Sequence, residues 1–566
     1  MNFKFRVLAQ LLVVWLLFCS TARGGEVPGQ AAIATAHPLA TQAGLEIIRQ
    51  GGNAFDAAVA ITATLAVVEP YSSGLGGGGF WLLHRSDDGK QIMIDGRETA
   101  PADAKSLLYL DKNMKLKPGA TLNGPLAAAI PGLPAGLVHL NEKYGRLTLA
   151  QNLAPAIRYA REGFTVSDHY LRMAGFRLEI LRTSKEAARI FLHGNAVPPP
   201  GYKIIQADLA RTLKLIAQRG SAGFYRGRVA DKLVTEVKKH GGVWSLKDLA
   251  DYRVVERPPV VTYYHDIRVI SAAPPSSGGL MLAQILKMLE GFDLEHYDNV
   301  TRNHLIIEAM RRAWRDRAAY LGDPDFVTIP TDRLLDRDYL EGLALTIDAA
   351  RASTNEELGV MPANNPVGAD TTHFSVLDGE GNRVAATLSI NLPFGSGFVA
   401  AGTGVLLNDE MDDFAVEPMQ PNAYGLVGDV ANSIAPGKRP LSSMTPTFLE
   451  TDDKVAILGT PGGSRIISMV LLGILDFAAG NTPRSWVSLP RFHHQYLPDE
   501  VKYEEGGLSG MERAGLQNLG HHLKEESRKF GNMQAILWYK PKNLVFAASD
   551  PRGEGEAVVT TIIPRR

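Results

Sequence analysis

The stretch that most constrains this chain runs from residue 370 to 391, DTTHFSVLDGEGNRVAATLSIN. Two runs rich in β-branched and aromatic residues, Thr371 to Asp378 and Arg383 to Ile390, flank Gly379, Glu380, Gly381 and Asn382. Gly and Asn tolerate the positive φ angles of a tight reversal, so the spacing predicts a β-hairpin whose first strand opens on two threonines. Upstream, Asn364, Asn365, Pro366, Gly368 and Ala369 form a loop signal, where a chain is exposed and can be cut. Cleavage between Asp370 and Thr371 would give Thr371 a free α-amino group. That amine, with a pKa of about 8, would serve as base for a hydroxyl too weakly nucleophilic to react unaided.

A second chemical signal follows the hairpin. Lys454 to Leu458 reads as a strand that runs into Gly459-Thr460-Pro461-Gly462-Gly463, and Ser464 to Phe477 reads as a helix. A glycine turn opening a helix presents free N–H groups and the positive end of the helix dipole, which suits an anion. In acyl transfer that anion is the tetrahedral oxyanion. The glycines of GLGGGGF (74–80) are not a phosphate loop, because no Lys-Ser or Lys-Thr follows them and the P-loop spacing is absent. They read instead as a place where backbone runs close to a neighbouring strand. Phe80 to His84 and Gln91 to Asp95 then form a hairpin, directly followed by Arg97.

The rest of the chain supplies a frame. Leu45, Ile47 and Ile48 mark a helix over 40–50, and Asn53 caps an Ala-rich helix from Phe55 to Val68 that is apolar nearly all round and so buried on several sides. Residues 125 to 365 are mostly helical in pattern and chemically quiet, with a clear helix from Asn303 to Tyr320. The PPSSGG loop (274–279) is assigned no chemistry. A formal net charge of −1, with no basic run past the leader, excludes a nucleic-acid role. Residues 1–24 carry Lys4 and Arg6, then an apolar run from Val7 to Cys19 of about 13 residues, too short to span a bilayer. With Ser20-Thr21-Ala22 behind it, this is a secretory signal, and the product is periplasmic or secreted. Cys19 is the only cysteine, so the mature chain has no disulfide framework, zinc-thiolate site or cysteine nucleophile. His493 and His494 are adjacent on a strand and point to opposite faces, so they are structural rather than metal ligands.

Matching blocks, in order and over almost the whole chain, carry a resemblance. They are QGGNAFDAAVA (50–60), SSGLGGGGF (72–80), GRETAP (96–101), the 370–391 hairpin, NDEMDDF (408–414), YGLVGDVANSIAPGKRPLSSMTPT (424–447), GTPGGSRII (459–467) and PRFHHQ (490–495). They resemble the γ-glutamyltranspeptidases, N-terminal nucleophile (Ntn) hydrolases that cut themselves before a threonine. The resemblance implies an α+β fold, a four-layer αββα sandwich. It implies a precursor cut into a large subunit, 25–370, and a small subunit of 196 residues, 371–566, that form one interleaved domain as a heterodimer.

It also implies site roles. Thr371 is the nucleophile, Ser389 hydrogen-bonds to it, and Gly462 and Gly463 form the oxyanion hole, where removing one donor costs about 3 to 4 kcal/mol. Arg97, Ser442 and Ser443 hold the substrate's α-carboxylate, while Asp413, Glu410 and Asn391 hold its ammonium. Tyr424 opens a lid loop that runs through Pro440. The chain departs from the family at Glu410, where bacterial members often carry glutamine, and at Ser389, where many carry threonine. Glu410 adds negative charge that would alter affinity or pH response; Ser389 keeps the hydroxyl. The implied substrates are γ-glutamyl amides such as glutathione, the acceptors water, amino acids or dipeptides, and no metal or organic cofactor is needed. Two alternatives stay open: a cephalosporin or glutaryl acylase on the same fold, and an exported binding protein that never matures.

Overall fold

The computed structural model describes residues 27–359, 371–417 and 420–561. The leader, the 364–369 loop signal and Asp370 lie outside the described residues. Thr372–Leu377 and Arg383–Ser389 form the expected hairpin, with Leu377 opposite Arg383 and Thr372 opposite Leu388. Its turn is held by Asp378: Oδ1 accepts the N–H groups of Glu380 and Asn382 at 3.0 Å each. Asp378 Oδ2 accepts the N–H of Ala54 at 2.9 Å, which ties the turn to the first residue of the helix Ala54–Val68.

The hairpin is the middle of a seven-stranded antiparallel sheet. Its spatial order is Glu556–Thr561, Gln30–Thr35, Thr372–Leu377, Arg383–Ser389, Gly78–His84, Gln91–Gly96, Val255–Arg257. A second antiparallel sheet of six strands runs Leu544–Ser549, Gln534–Tyr539, Lys454–Gly459, Thr447–Glu450, Ile267–Ser271, Val260–Tyr264. Strands from before and after Thr371 sit in both sheets, so the two halves of the chain share one core.

Side-chain alternation sorts that core into layers. Phe374, Val376, Val384 and Ala386 pack with Val59 and Ile61 of the Ala54–Val68 helix, in which every residue is buried. Leu377 and Ala385 face the other way and pack with Ala456, Leu458 and Ile536 of the second sheet. Gly278–Leu289 and Ile466–Ala478 contribute Leu282, Ile285, Val470 and Ile474 to the cluster that includes the second sheet. The result is the helix–sheet–sheet–helix sandwich expected.

Two expectations need correction. Residues 255–271, inside the region read as mostly helical, hold three strands: Val255–Arg257 and Val260–Tyr264 at the edges of the two sheets, and Ile267–Ser271 next to the edge of the second. The helix read from Asn303 begins at Asn299, where Asp298 Oδ1 caps it by accepting the Thr301 N–H at 2.9 Å. No helix among the described residues is long and apolar enough to cross a membrane.

Candidate active site

Alternation along the hairpin decides where Thr371 points. His373 stacks against Gly459 of the second sheet, where a Cβ would lie 2.2 Å from the ring, and Ser375 Oγ donates to the Gln534 carbonyl at 3.1 Å. Odd-numbered residues of this strand therefore face the inter-sheet side. Thr371 continues that parity just before the strand, at the end where Gly459 leads into Gly462-Gly463. Ser389, on the partner strand, puts its Oγ 3.4 Å from Thr371 Oγ1. The Ser389 hydroxyl also accepts the Asn391 N–H at 2.8 Å. A Cβ on Gly77 would come 2.1 Å from the Ser389 carbonyl oxygen, so the glycine run lets the Gly78–His84 strand come close alongside the hairpin in the same sheet.

Thr371 opens into a narrow cleft lined also by Arg97, Ser389, Asn391, Asp413, Tyr424, Ser442, Ser443 and Gly463. Of the site residues named from the sequence that are described, Glu410 and Gly462 do not line it. Arg97 stands just past the strand Gln91–Gly96, with its carbonyl accepting the Tyr252 hydroxyl at 2.7 Å. Its guanidinium meets Glu410 Oε2 at 2.7 Å, Asp413 Oδ2 at 2.5 Å and Glu98 Oε2 at 3.4 Å. Burial would lower the Arg97 pKa, but Glu410 and Asp413 outweigh it and drive it up. Burial pushes Glu98 up to about 7 against the pull of Arg97. Glu410, buried beneath the site rather than lining it, is raised well above the ordinary carboxylate range by burial and by its acidic neighbours Glu98, Asp413 and Asp409. One cation among three carboxylic groups cannot keep all of them ionised.

Asn391 sits at φ +73° and its Nδ2 donates to the Asp409 carbonyl at 2.9 Å, which sets its side-chain oxygen as an acceptor on the other side of the amide. Tyr424 closes over this turn. Its hydroxyl donates to the Asn391 carbonyl at 2.9 Å, and a Cβ on Gly463 would lie 2.5 Å from its ring. Gly462 (φ +144°) and Gly463 (φ +57°) form the turn into a short 3-10 segment, Gly463–Arg465, and the helix Ile466–Ala478. Both adopt backbone that favours glycine.

Three features were not read from the sequence. Ser277, in the loop assigned no chemistry, donates its N–H and its hydroxyl to the Ser442 carbonyl, each at 2.8 Å. Arg317 reaches Ser443 Oγ at 3.4 Å from the helix Asn299–Tyr320. Local pattern carries no signal for contacts between segments so far apart in sequence. Third, His304, Glu308 and His521 gather three buried potential ligand atoms. Glu308 is already held by Arg311 at 2.8 Å, Arg312 at 2.7 Å and Ser353 at 2.5 Å, and His304 Nδ1 bonds His521 Nε2 at 2.7 Å, so the donor set is committed to a structural network. His493 bonds Ser468 at 2.7 Å and Gln495 at 2.9 Å, while His494 bonds Asp499 at 3.1 Å, each a structural contact as expected.

The family model described as gamma-glutamyltranspeptidase matches residues 40–560. The glutathione hydrolase proenzyme of Pseudomonas sp. (strain A14) is 41% identical over 535 residues, 92% of each chain. That of Escherichia coli (strain K12) is 40% identical over 532 residues, 92% of this chain and 90% of the other. Among solved structures, cephalosporin acylase from Bacillus halodurans is similar with a TM-score of 0.81 at 28% identity, over 94% of this chain and 95% of that one.

Proposed function

This chain belongs to the γ-glutamyltranspeptidase family and is an enzyme of that activity, and on that premise we propose that Thr371 carries the chemistry twice. In the precursor its Oγ attacks the carbonyl of Asp370, the peptide becomes an ester, and water opens the ester. The products are a large chain ending in the Asp370 carboxylate and a small chain beginning with the Thr371 amine. In the mature enzyme the same oxygen attacks the γ-carbonyl of glutathione or a related amide, passing its proton to the Thr371 amine. The Gly462 and Gly463 N–H groups take the oxyanion. The amine returns the proton to the leaving group, and water or the amine of an amino acid or dipeptide then releases the acyl group.

The observation that carries this reading is that Thr371 shares one cleft with both Arg97 and Asp413, a cation and an anion suited to the two ends of an amino acid. A glutaryl acylase reading draws support from the structural likeness to cephalosporin acylase, but its substrate brings no ammonium for Asp413. The leader at 1–24 supports export to the periplasm or medium.

Intact mass and N-terminal sequencing of the protein purified from expressing cells test the scheme. Two chains are expected, the smaller beginning Thr-Thr-His-Phe, and Thr371→Ala is expected to stay uncut and inactive. A Thr371→Ala protein that still split at this bond would refute the shared nucleophile.

A further inference from the structure

Two buried guanidiniums flank the cleft, and they are compensated in opposite ways. Arg97 faces Glu98, Glu410 and Asp413. Arg317, 4% exposed, makes its hydrogen bonds to neutral groups among the described residues: Nε to Ser277 Oγ at 3.1 Å and a terminal nitrogen to Ser443 Oγ at 3.4 Å. Its third neighbour is the Trp314 ring, 5.3 Å from the guanidinium carbon. Asp413 favours its charge from beyond ion-pair distance and Arg97 opposes it, so no carboxylate sits against this buried cation; that is costly, and a bound anion is one way to offset the cost.

The bonding around the serine pair fixes where that anion goes. Ser443 Oγ accepts from Arg317, so its own proton must point elsewhere, and Ser443 lines the cleft. Ser442 Oγ accepts the Met444 N–H at 3.1 Å, which turns its proton away in the same manner. Ser277 links the two systems: its Oγ accepts from Arg317 and donates to the Ser442 carbonyl at 2.8 Å. Arg317 thus grips the Ser442-Ser443 segment from behind and leaves two hydroxyl donors for the cleft.

We propose that Arg317 is a positioning residue for the substrate's α-carboxylate, holding Ser443 as a donor and polarising its hydroxyl with a charge that, unlike that of Arg97, is not tied up in an ion pair with Asp413. The inference rests on the γ-glutamyl reading. Burial lowers Arg317 to about 10, so it stays charged at neutral pH.

The test compares γ-glutamyl-p-nitroanilide with 4-aminobutanoyl-p-nitroanilide, which lacks only the α-carboxylate, and with glutaryl-p-nitroanilide. Arg317→Met is expected to raise KM for the γ-glutamyl substrate about tenfold or more with kcat within about threefold, and to leave the 4-aminobutanoyl KM unchanged. Arg317→Lys should recover much of the lost affinity. Equal losses on both substrates, or a fall in kcat with KM unchanged, would overturn the proposal. If Arg317→Met stays uncut or insoluble, Ser277→Ala is read by the same ratio. A selective rise in γ-glutamyl KM supports the role and a uniform loss refutes it. A wild-type enzyme that turned over the glutaryl anilide and ignored the γ-glutamyl one would instead overturn the underlying reading.

Discussion

Arg97 and Asp413 form an ion pair across the substrate cleft, with a guanidinium nitrogen 2.5 Å from Asp413 Oδ2. On the proposed reading, an amino acid zwitterion would separate this pair and replace it with two, its carboxylate on the Arg97 and serine side and its ammonium on Asp413. A ligand with only one of these charges breaks the pair without replacing it. Stranding one partner of a buried pair costs about 3 to 5 kcal/mol.

That asymmetry predicts a specificity switch. Wild type should use a glutaryl amide at least about 100-fold less well than the γ-glutamyl amide in kcat/KM, because Asp413 is left without a partner. Asp413→Asn should lower kcat/KM for the γ-glutamyl substrate about 10- to 100-fold while leaving the glutaryl value level or higher. Equal losses on both anilides would mean that Asp413 does not read the ammonium.

Ser389 carries a prediction about the nucleophile. Its oxygen accepts the Asn391 N–H, so its proton is available to Thr371 Oγ1, 3.4 Å away. Ser389→Ala should slow both chain cleavage and turnover by about tenfold, and Ser389→Thr should retain both. Timed gels of the precursor and initial rates of the mature enzyme give the two readings. Normal cleavage and turnover in Ser389→Ala would remove Ser389 from the mechanism.

Much of this site was legible because it is built from local turns. The Gly379–Asn382 reversal, the Asn53 cap and the strand-to-helix glycines each announce themselves within a few residues, and the Asn53 capping box with Asp56 is present. The strands at 255–271 were passed over because a largely helical region surrounds them, although Val260–Tyr264 alternates between half-buried and exposed as an edge strand does. Arg317 was legible only as a member of a helix. Its role arises from Ser277 and Ser443, which reach it through tertiary packing. The negative charge expected of Glu410 needs correction, since burial beside Glu98 raises its pKa well above the ordinary carboxylate range against the pull of Arg97, and local sequence carries no signal of that burial.

Gly463 and Tyr424 should be energetically coupled. A methyl group on Gly463 would press to 2.5 Å from the Tyr424 ring, which is anchored through its hydroxyl to the Asn391 carbonyl. Gly463→Ala is expected to cut kcat about 10- to 100-fold by moving both the ring and the N–H aimed at the oxyanion. Tyr424→Ala removes the obstacle, so the double variant should lose less than the two single losses combined. Strict additivity in this cycle would show that the ring does not transmit the effect.

Glu69 gives the pH dependence of stability. It follows the helix Ala54–Val68 and is 3% exposed; burial pushes it to about 8, with the nearby Thr372 and Tyr71 hydroxyls opposing the rise and Glu554 adding to it. The unfolded chain releases this proton near the ordinary value of 4.5, whereas the folded chain holds it to about 8. A raised folded-state pKa means that the group's contribution to stability is full below the unfolded value and is lost as pH rises through the folded one. Between about pH 4.5 and 8, wild type should therefore lose thermal stability that Glu69→Gln, neutral throughout, does not lose. Thermal midpoints of the processed protein across this range should converge or cross, with the variant gaining about 1 to 3 °C on wild type towards the alkaline end. Parallel midpoint curves would mean that Glu69 is ionised in the folded protein and that Thr372, Tyr71 or a partner yet closer stabilises its charge.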